Sequence, residues 1–269
     1  MMPFVKALTA EMKKQHKNYF HSRMIYVSLF VWPFLSFVTT YYSFKVFNIE
    51  KSKISYITSE NMIVYLLLGY MCMSFFRSLV QSAWNFSFER ISGTLELIYL
   101  SPVNRAAVLL GNAISSLFES VFVMLIFSIL VLIIKGEVLL IKILPCITVF
   151  LIVTAMAVAW GMFLNSLFLF SRDSDFLFTV LEEPMEIFSG VKVPTILFPV
   201  WAKAISVFFP LTYAIEAVRR VVLTGSTLYE IRGFVVTGVV IIAILLVLIS
   251  TMIKIVERHM RITGNITLF

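Results

Sequence analysis

Long apolar segments without charge are the feature that most limits how this chain can fold. Gly233–Ile253 contains no charged residue, and neither does the segment 143–171. A helix needs about 20 mostly apolar residues to cross the hydrocarbon layer of a bilayer. Hydrophobic residues make up 60% of the chain and charged residues 14%, against roughly 45–50% and 25% in a soluble domain. The sequence therefore argues against a soluble enzyme, a secreted disulfide scaffold and a disordered regulator, and predicts an all-α membrane protein.

Six transmembrane helices are predicted within a single domain that covers residues 1–269. They are assigned to residues 24–44, 61–85, 106–134, 143–171, 176–189 and 233–253. The fifth is the shortest and contains three glutamates and a proline, so its assignment has the least support.

Two further segments are predicted to lie at the membrane without crossing it. Phe4, Leu8 and Met12 recur every four residues within 3–22, with lysines elsewhere, which indicates an amphipathic helix in the inner interface. A solvated basic tail is the alternative. Residues 190–231 are too apolar for a free loop and are cut by three prolines. We expect short re-entrant helices there, dipping into the outer leaflet and packed on protein.

Charge predicts the orientation of the chain. The net charge of +7 is explained by basic membrane flanks rather than by nucleic acid. Five Lys or Arg residues precede the first span and three follow it before the second. Both termini are therefore predicted to be cytoplasmic.

No catalytic or metal site is expected. The sequence contains no phosphate-binding glycine loop, no H-E-x-x-H pair and no G-x-S-x-G element. Cys72 and Cys146 lie inside long apolar segments, so we expect buried thiols without a disulfide or metal role.

The segment 86–101 is predicted to form a short cytoplasmic helix between two breaks. Gly93 would end or kink the preceding turn, Thr94 would cap the next helix, and Pro102 would stop it. Such a helix could dock into a groove on a cytoplasmic partner. A plain capped connector is the alternative.

Ionisable residues inside the predicted spans are candidates for function, because each is costly in lipid. Arg77 and Glu119 lie at comparable predicted depth and are expected to pair, within the chain or across a dimer; otherwise Arg77 reaches the headgroups and Glu119 is protonated. Glu182, Glu183 and Glu186 gather on one helix face. They predict a patch that attracts cations, or else a group at the outer headgroups near Lys192.

Three motifs resemble those of the permeases of ABC-2 type ABC transporters. The pattern E-R-x-x-G-T-L-E-x-x-x-x-S-P of residues 89–102 is similar to their coupling-helix region. The patterns F-S-G-V-x-V-P of 188–194 and P-L-T-Y-A-I-E-A-V-R of 210–219 are similar to the segment between their last two spans. The resemblance covers essentially the whole chain and is closest to the branch that exports drugs, antibiotics and peptides. The three glutamates in the fifth span depart from the usual pattern.

The resemblance implies the permease of an ATP-driven exporter in the plasma membrane. Its partners would be two copies of a cytoplasmic ABC ATPase, a second or homologous permease, and the surrounding lipid. This chain would hold no cofactor, since ATP and Mg²⁺ would bind the partner. The implied cargo is a hydrophobic or amphipathic small molecule or peptide, cationic ones included. Export of a lipid-linked glycan or polysaccharide, and a membrane sensor or immunity protein that transports nothing, are the alternatives.

The residues expected to carry this function fall into two sets. Those that contact the ATPase are Glu89, Arg90, Gly93, Thr94, Leu95 and Glu96, with capping of its own helix as the alternative for Glu89. Those along the pathway are Arg77, Glu119, Glu182, Glu183 and Glu186, together with Phe208, Phe209 and Tyr213 as a hydrophobic gate.

Overall fold

The computed structural model describes residues 4–19, 23–45, 61–141, 143–168 and 174–263. Every regular element within these ranges is helical, which confirms the all-α prediction. The helices are α1 Phe4–Tyr19, α2 Arg23–Lys45, α3 Met62–Ile91, α4 Thr94–Leu100, α5 Arg105–Ile141, α6 Ile143–Phe168, α7 Ser174–Phe188, α8 Val200–Ser206, α9 Pro210–Thr224 and α10 Leu228–Thr263, with a 3₁₀ turn at Thr195–Leu197.

Four helices among the described residues are long and apolar enough to cross a membrane. The qualifying segments are Met62–Ala83, Arg105–Ile134, Leu144–Leu167 and Leu228–His259. The other two predicted spans fall on α2 and α7. The 15 residues of α7 extend about 22 Å, less than the roughly 30 Å of hydrocarbon in a bilayer. The chain is an integral membrane protein, and its six-span count stays a prediction.

The long helices define two ends of the bundle. At the α4 end, α3 stops, α5 starts, and Arg105 of α5 forms an ion pair with Glu257 near the end of α10. At the α9 end, α3 starts beside Arg219 of α9, which donates hydrogen bonds to the carbonyl oxygen of Tyr65. The two ends therefore lie on opposite sides of the layer formed by α3, α5, α6 and α10.

Helix α3 lies at the centre of the bundle. It packs against α5, α6 and α9, and its apolar side chains, such as Phe75, Phe76 and Leu79, are completely buried. By contrast, α10 packs on α6 and α9 while most of its apolar surface stays exposed. Because lipid is as apolar as these side chains, such an exposed face is stable only within the membrane or against another protein.

Polar side chains join the central helices. The amide nitrogen of Asn112 donates to Asn165 Oδ1 at 2.9 Å and to the Ser82 carbonyl at 3.1 Å. The Ser82 hydroxyl in turn donates to the Asn112 carbonyl. Interhelical hydrogen bonds of this kind stabilise membrane helices by about 0.6–2 kcal/mol each. They fix α3, α5 and α6 relative to one another.

The N-terminal helix α1 packs against α5, and its predicted place in the inner interface stays a prediction. Its buried residues are Ala7, Glu11 and Gln15, whereas Phe4 is exposed. Glu11 tolerates this position because Gln15 donates to its carboxylate at 2.8 Å and Lys14 lies 2.9 Å from it. The polar pairing, which hydrophobic spacing does not reveal, determines how α1 packs.

Candidate functional site

A short helix, α4, lies between α3 and α5 within the predicted segment 86–101, but residues 86–91 of that segment continue α3. Gly93 follows the end of α3 with a φ of 72°, a left-handed conformation that glycine adopts without steric cost. Helix α4 begins at Thr94 and ends where the Ser101 amide donates to the Leu97 carbonyl at 3.1 Å. The chain thus reverses direction through one compact element.

Glu89 holds this element in place. Its side chain is buried, with a carboxylate oxygen 3.0 Å from Lys14 Nζ of α1. The Thr94 hydroxyl donates to the same carboxylate and to the Glu89 carbonyl. The prediction that Thr94 caps α4 is therefore wrong: the N-cap residue is Gly93, and no side chain caps the helix. Glu89 joins α1, α3 and α4.

Two leucines of α4 are exposed. Leu97 is 66% exposed and Leu100 is 82% exposed. Sequence reasoning did not select them, although their three-residue spacing places them on one helix face. The side chains of Arg90, Leu95 and Glu96, which it did select, lie outside the described part of the structure.

Arg77 pairs with a glutamate of α7. Its Nε lies 2.7 Å from Glu182 Oε1, and the side chains are 37% and 5% exposed respectively. Arg77 lies about 22 Å from Met62 along α3, near the middle of that helix. The side chain of Glu119 is outside the described residues, so its pairing with Arg77 stays a prediction, while the carboxylate observed beside Arg77 is that of Glu182.

The remaining glutamates of α7 have separate environments. Glu186 forms an ion pair with Lys192 at 2.8 Å, and Glu183 is exposed. Partial burial of Lys192 lowers its pKa, but the hydrogen bond and charge of Glu186 outweigh that effect and leave the pKa above its ordinary value. The predicted acidic cluster is thus a buried carboxylate paired with a partly exposed arginine, one pair near the turn after α7, and one exposed carboxylate.

A buried arginine joins the two motifs between α7 and α10. Arg219 donates to the carbonyl oxygens of Gly190 and Val191 at 2.7 Å and to that of Tyr65, and its guanidinium lies 3.5 Å from the centre of the Tyr65 ring. A Cβ on Gly69 would lie 2.4 Å from the Val191 oxygen and 2.7 Å from Arg219 Nη2. Only glycine leaves space for this contact.

Arg219 ends the motif of residues 210–219, but it is not among the functional residues that the sequence predicts. Its four-residue spacing from Leu211 and Ile215, both buried, was the available signal. This spacing places Arg219 on the apolar face of α9.

Two residues of the predicted aromatic gate, Phe208 and Phe209, lie beside Trp160. The ring centroid of Trp160 lies 5.9 Å from that of Phe208 and 6.1 Å from that of Phe209. Phe209 is buried and Phe208 is exposed, while the Tyr213 hydroxyl donates to the Val207 carbonyl at 3.4 Å. Trp160 lies about 25 Å along α6 from Ile143. The junction of α8 and α9 therefore reaches the middle of the bundle.

Neither cysteine forms a disulfide. Cys72 is buried and Cys146 is half-buried. Among the residues that the structure describes, no group of three or more His, Cys, Asp and Glu side chains could hold a metal ion.

The comparison with protein families gives one match. A family model described as ABC-2 type transporter matches residues 6–223, which extend from α1 almost to the end of α9. No curated protein matches the sequence.

Proposed function

The chain belongs to the ABC-2 type transporter family, and from this membership we propose that it is the permease subunit of an ATP-driven exporter. A protein of this family is the permease component of a transporter and is not itself catalytic. ATP hydrolysis would occur on two copies of a separate cytoplasmic ATPase. A second copy of this chain or a homologous permease would complete the pathway across the plasma membrane.

The exposure of two leucines on α4 is the observation that carries the proposal. Leu97 and Leu100 project from a short helix whose orientation is fixed by Glu89. Exposed apolar side chains on an amphipathic helix are suited to a groove on a partner protein. We assign ATPase contact to these two leucines, beside the predicted Arg90, Thr94, Leu95 and Glu96. Glu89, buried in the chain, acts as a positioning residue.

The proposed orientation puts the α4 end in the cytoplasm. Helix α1 contacts α3 near that end through Lys14 and Glu89, and α10 approaches it through Glu257. Both ends of the described chain therefore lie on the α4 side, which agrees with cytoplasmic termini and an even number of spans. The short helices α8 and α9 would then be re-entrant from the outer leaflet.

The proposed pathway runs along the face that carries Arg77. A charged group facing hydrocarbon costs roughly 2.5–3.5 kcal/mol on insertion scales, and Arg77 is partly exposed near the middle of α3. If the Arg77 side chain faces a second permease and an aqueous path, it is no longer exposed to hydrocarbon and that cost is avoided. Glu183 would attract a cationic group of the cargo. Glu119, Glu186 and the aromatic cluster of Phe208, Phe209 and Tyr213 are further proposed pathway residues.

A reconstituted complex tests the function. The full chain, purified with its ATPase, would be placed in inside-out vesicles with a fluorescent cationic amphiphile. We expect ATP-dependent accumulation inside the vesicles, abolished when Leu97 and Leu100 are both changed to Ser. Accumulation that does not require ATP, or no associated ATP hydrolysis, would refute the proposal.

Labelling from one side tests the orientation. Leu97→Cys and Leu197→Cys would be made in a chain with Ser at both native cysteine positions. A membrane-impermeant maleimide added to intact cells should label position 197 and leave position 97 unlabelled until the membrane is opened. The reverse pattern would contradict the proposed orientation.

A further inference from the structure

The bundle contains an apolar cavity of about 150 Å³ between α3, α5, α6 and α9. Its walls are aliphatic and aromatic side chains, the two cysteines and Ser128. The Ser128 hydroxyl donates to Met71 Sδ at 3.7 Å, so among the side chains of the wall only its oxygen is left to accept a hydrogen bond. A water needs two to four polar partners, and apolar cavities of roughly this size stay dry and accept apolar molecules. The contents of this cavity must therefore be apolar.

The walls of the cavity differ in exposure, and the more exposed side marks its mouth. The walls formed by α3 and α9 are buried: Cys72 is 2% exposed and Val221 is 1% exposed. On the opposite side Leu132 of α5 is 41% exposed and Cys146 of α6 is half-buried. The mouth thus lies between α5 and α6, both of which are long and apolar enough to cross the bilayer.

The position of the mouth identifies what it meets. It opens within the first turns of α6, inside the candidate span Leu144–Leu167. The surroundings of such a span are lipid acyl chains, present at the highest concentration of any hydrocarbon. We propose that this cavity is a binding site for the terminal methylene and methyl groups of an acyl chain of a membrane lipid, which enters between α5 and α6 and ends against α3 and α9.

The site has a structural consequence for α9. Val218, Val221 and Val222 form part of the cavity wall, and Arg219 between them fixes the Gly190–Val191 turn. An acyl chain in the cavity contacts the helix that carries this arginine. Lipid occupancy therefore stabilises the packing of α9 on α3.

Photolabelling tests the site directly. The full chain would be reconstituted in nanodiscs of phosphatidylcholine with a diazirine on one acyl chain, irradiated, and mapped by mass spectrometry. We expect adducts on Cys72 and Val221, which bulk lipid cannot reach, as well as on the exposed Val247 of α10. Leu211, which is buried away from the cavity, should remain unlabelled and serves as the control for unfolding.

A matched pair of variants assigns the adducts to the cavity. Val149→Phe fills it, and Val247→Phe makes the same change on the exposed face of α10. Excluding two methylene groups from the site corresponds to about tenfold lower occupancy. We expect the yield of adducts on Cys72 and Val221 to fall at least tenfold in Val149→Phe. In Val247→Phe the yield of these adducts should not change. If Val149→Phe does not fold, Cys146→Phe at the half-buried mouth replaces it with the same expectation.

Two results would overturn the proposal. The first is labelling of Cys72 and Val221 no stronger than that of Leu211, or unchanged by a folded filling variant. The second concerns a diazirine derivative of adamantane used as a second probe. If it labels these residues while the lipid probe does not, the cavity accepts compact apolar molecules and not acyl chains. Neither readout depends on transport.

Discussion

Lys14 Nζ of α1 lies 3.0 Å from a carboxylate oxygen of Glu89 in α3. The Thr94 hydroxyl donates to the same carboxylate from α4. The N-terminal helix is thereby joined to the segment proposed to contact the ATPase. Any motion of α4 relative to α3 must either break the Thr94–Glu89 hydrogen bond or displace the Glu89 side chain, to which α1 is joined through Lys14.

The Lys14–Glu89 pair should contribute to both stability and coupling. Lys14→Met leaves a largely buried carboxylate, so we expect about 1–2 kcal/mol lower free energy of unfolding, between the values for exposed and buried pairs. Cargo-stimulated ATP hydrolysis should also fall. The control is Lys13→Met on the same helix, since Lys13 is exposed. A double-mutant cycle with Glu89→Gln should show non-additive effects; additive effects would mean that the pair is unimportant.

The exposed leucines of α4 should be required for assembly with the ATPase. Burial of one leucine side chain contributes about 1.5–3 kcal/mol, so Leu97→Ser should weaken binding about tenfold or more. Binding can be measured by titrating labelled ATPase subunit onto the reconstituted chain. Leu197→Ser, on an equally apolar exposed residue beyond α7, should bind normally. Equal loss in both variants would indicate a general defect.

The partner of Arg77 can be identified by exchanging charges. Arg77→Glu should abolish transport, because it places a second carboxylate beside Glu182. Adding Glu182→Arg should restore part of the transport rate, whereas adding Glu119→Arg should not. Vesicle uptake measures each outcome. Rescue by Glu119→Arg alone would instead support the pair expected from the sequence.

Gly69 should not tolerate a methyl group. Gly69→Ala brings Cβ within 2.4 Å of the Val191 oxygen, so backbone must move, at a cost of about 1–3 kcal/mol. Gly233→Ala is the control, because a Cβ there meets no atom within 4 Å and alanine favours the helix by up to about 1 kcal/mol. The midpoint temperature of thermal unfolding in detergent should therefore fall in Gly69→Ala and rise in Gly233→Ala. A neutral Gly69→Ala would show that the Arg219 contact is adaptable.

Glu183 should determine the response to cationic cargo. The side chain is exposed on α7, so Glu183→Gln removes charge without leaving a buried group unpaired. We expect weaker stimulation of ATP hydrolysis by cationic amphiphiles and unchanged stimulation by neutral ones. Glu216→Gln on α9 is the control. An unchanged cargo profile would remove Glu183 from the proposed pathway.

The helical architecture follows from the sequence because long apolar segments and glycine breaks act locally. The break at Gly93 and the helix after it are visible in the spacing of residues 89–102. Contacts between distant helices are not. Depth along a helix can be estimated at 1.5 Å per residue, but it does not say which neighbour lies at that depth. The sequence therefore predicts Glu119 as a partner of Arg77 from its depth, but it does not reveal Glu182 of α7, which lies beside Arg77.

The hydrophobic pattern also does not predict which polar side chains are buried. Glu11 and Gln15 lie on the buried face of α1 because they satisfy each other. Thr94 donates to Glu89 rather than capping α4 because the glycine turn brings the two together. Each of these contacts requires a turn or a packed neighbour, which only the assembled fold supplies.

The unbroken length of α3 has a mechanical consequence. Its 30 residues form a rod about 45 Å long, with Glu89 at one end and Tyr65, the base for Arg219, at the other. A tilt of only about 10° about one end displaces the opposite end by about 8 Å. Small rotations at the α4 end thus become displacements as wide as a side chain at the α9 end, without any bending of the helix.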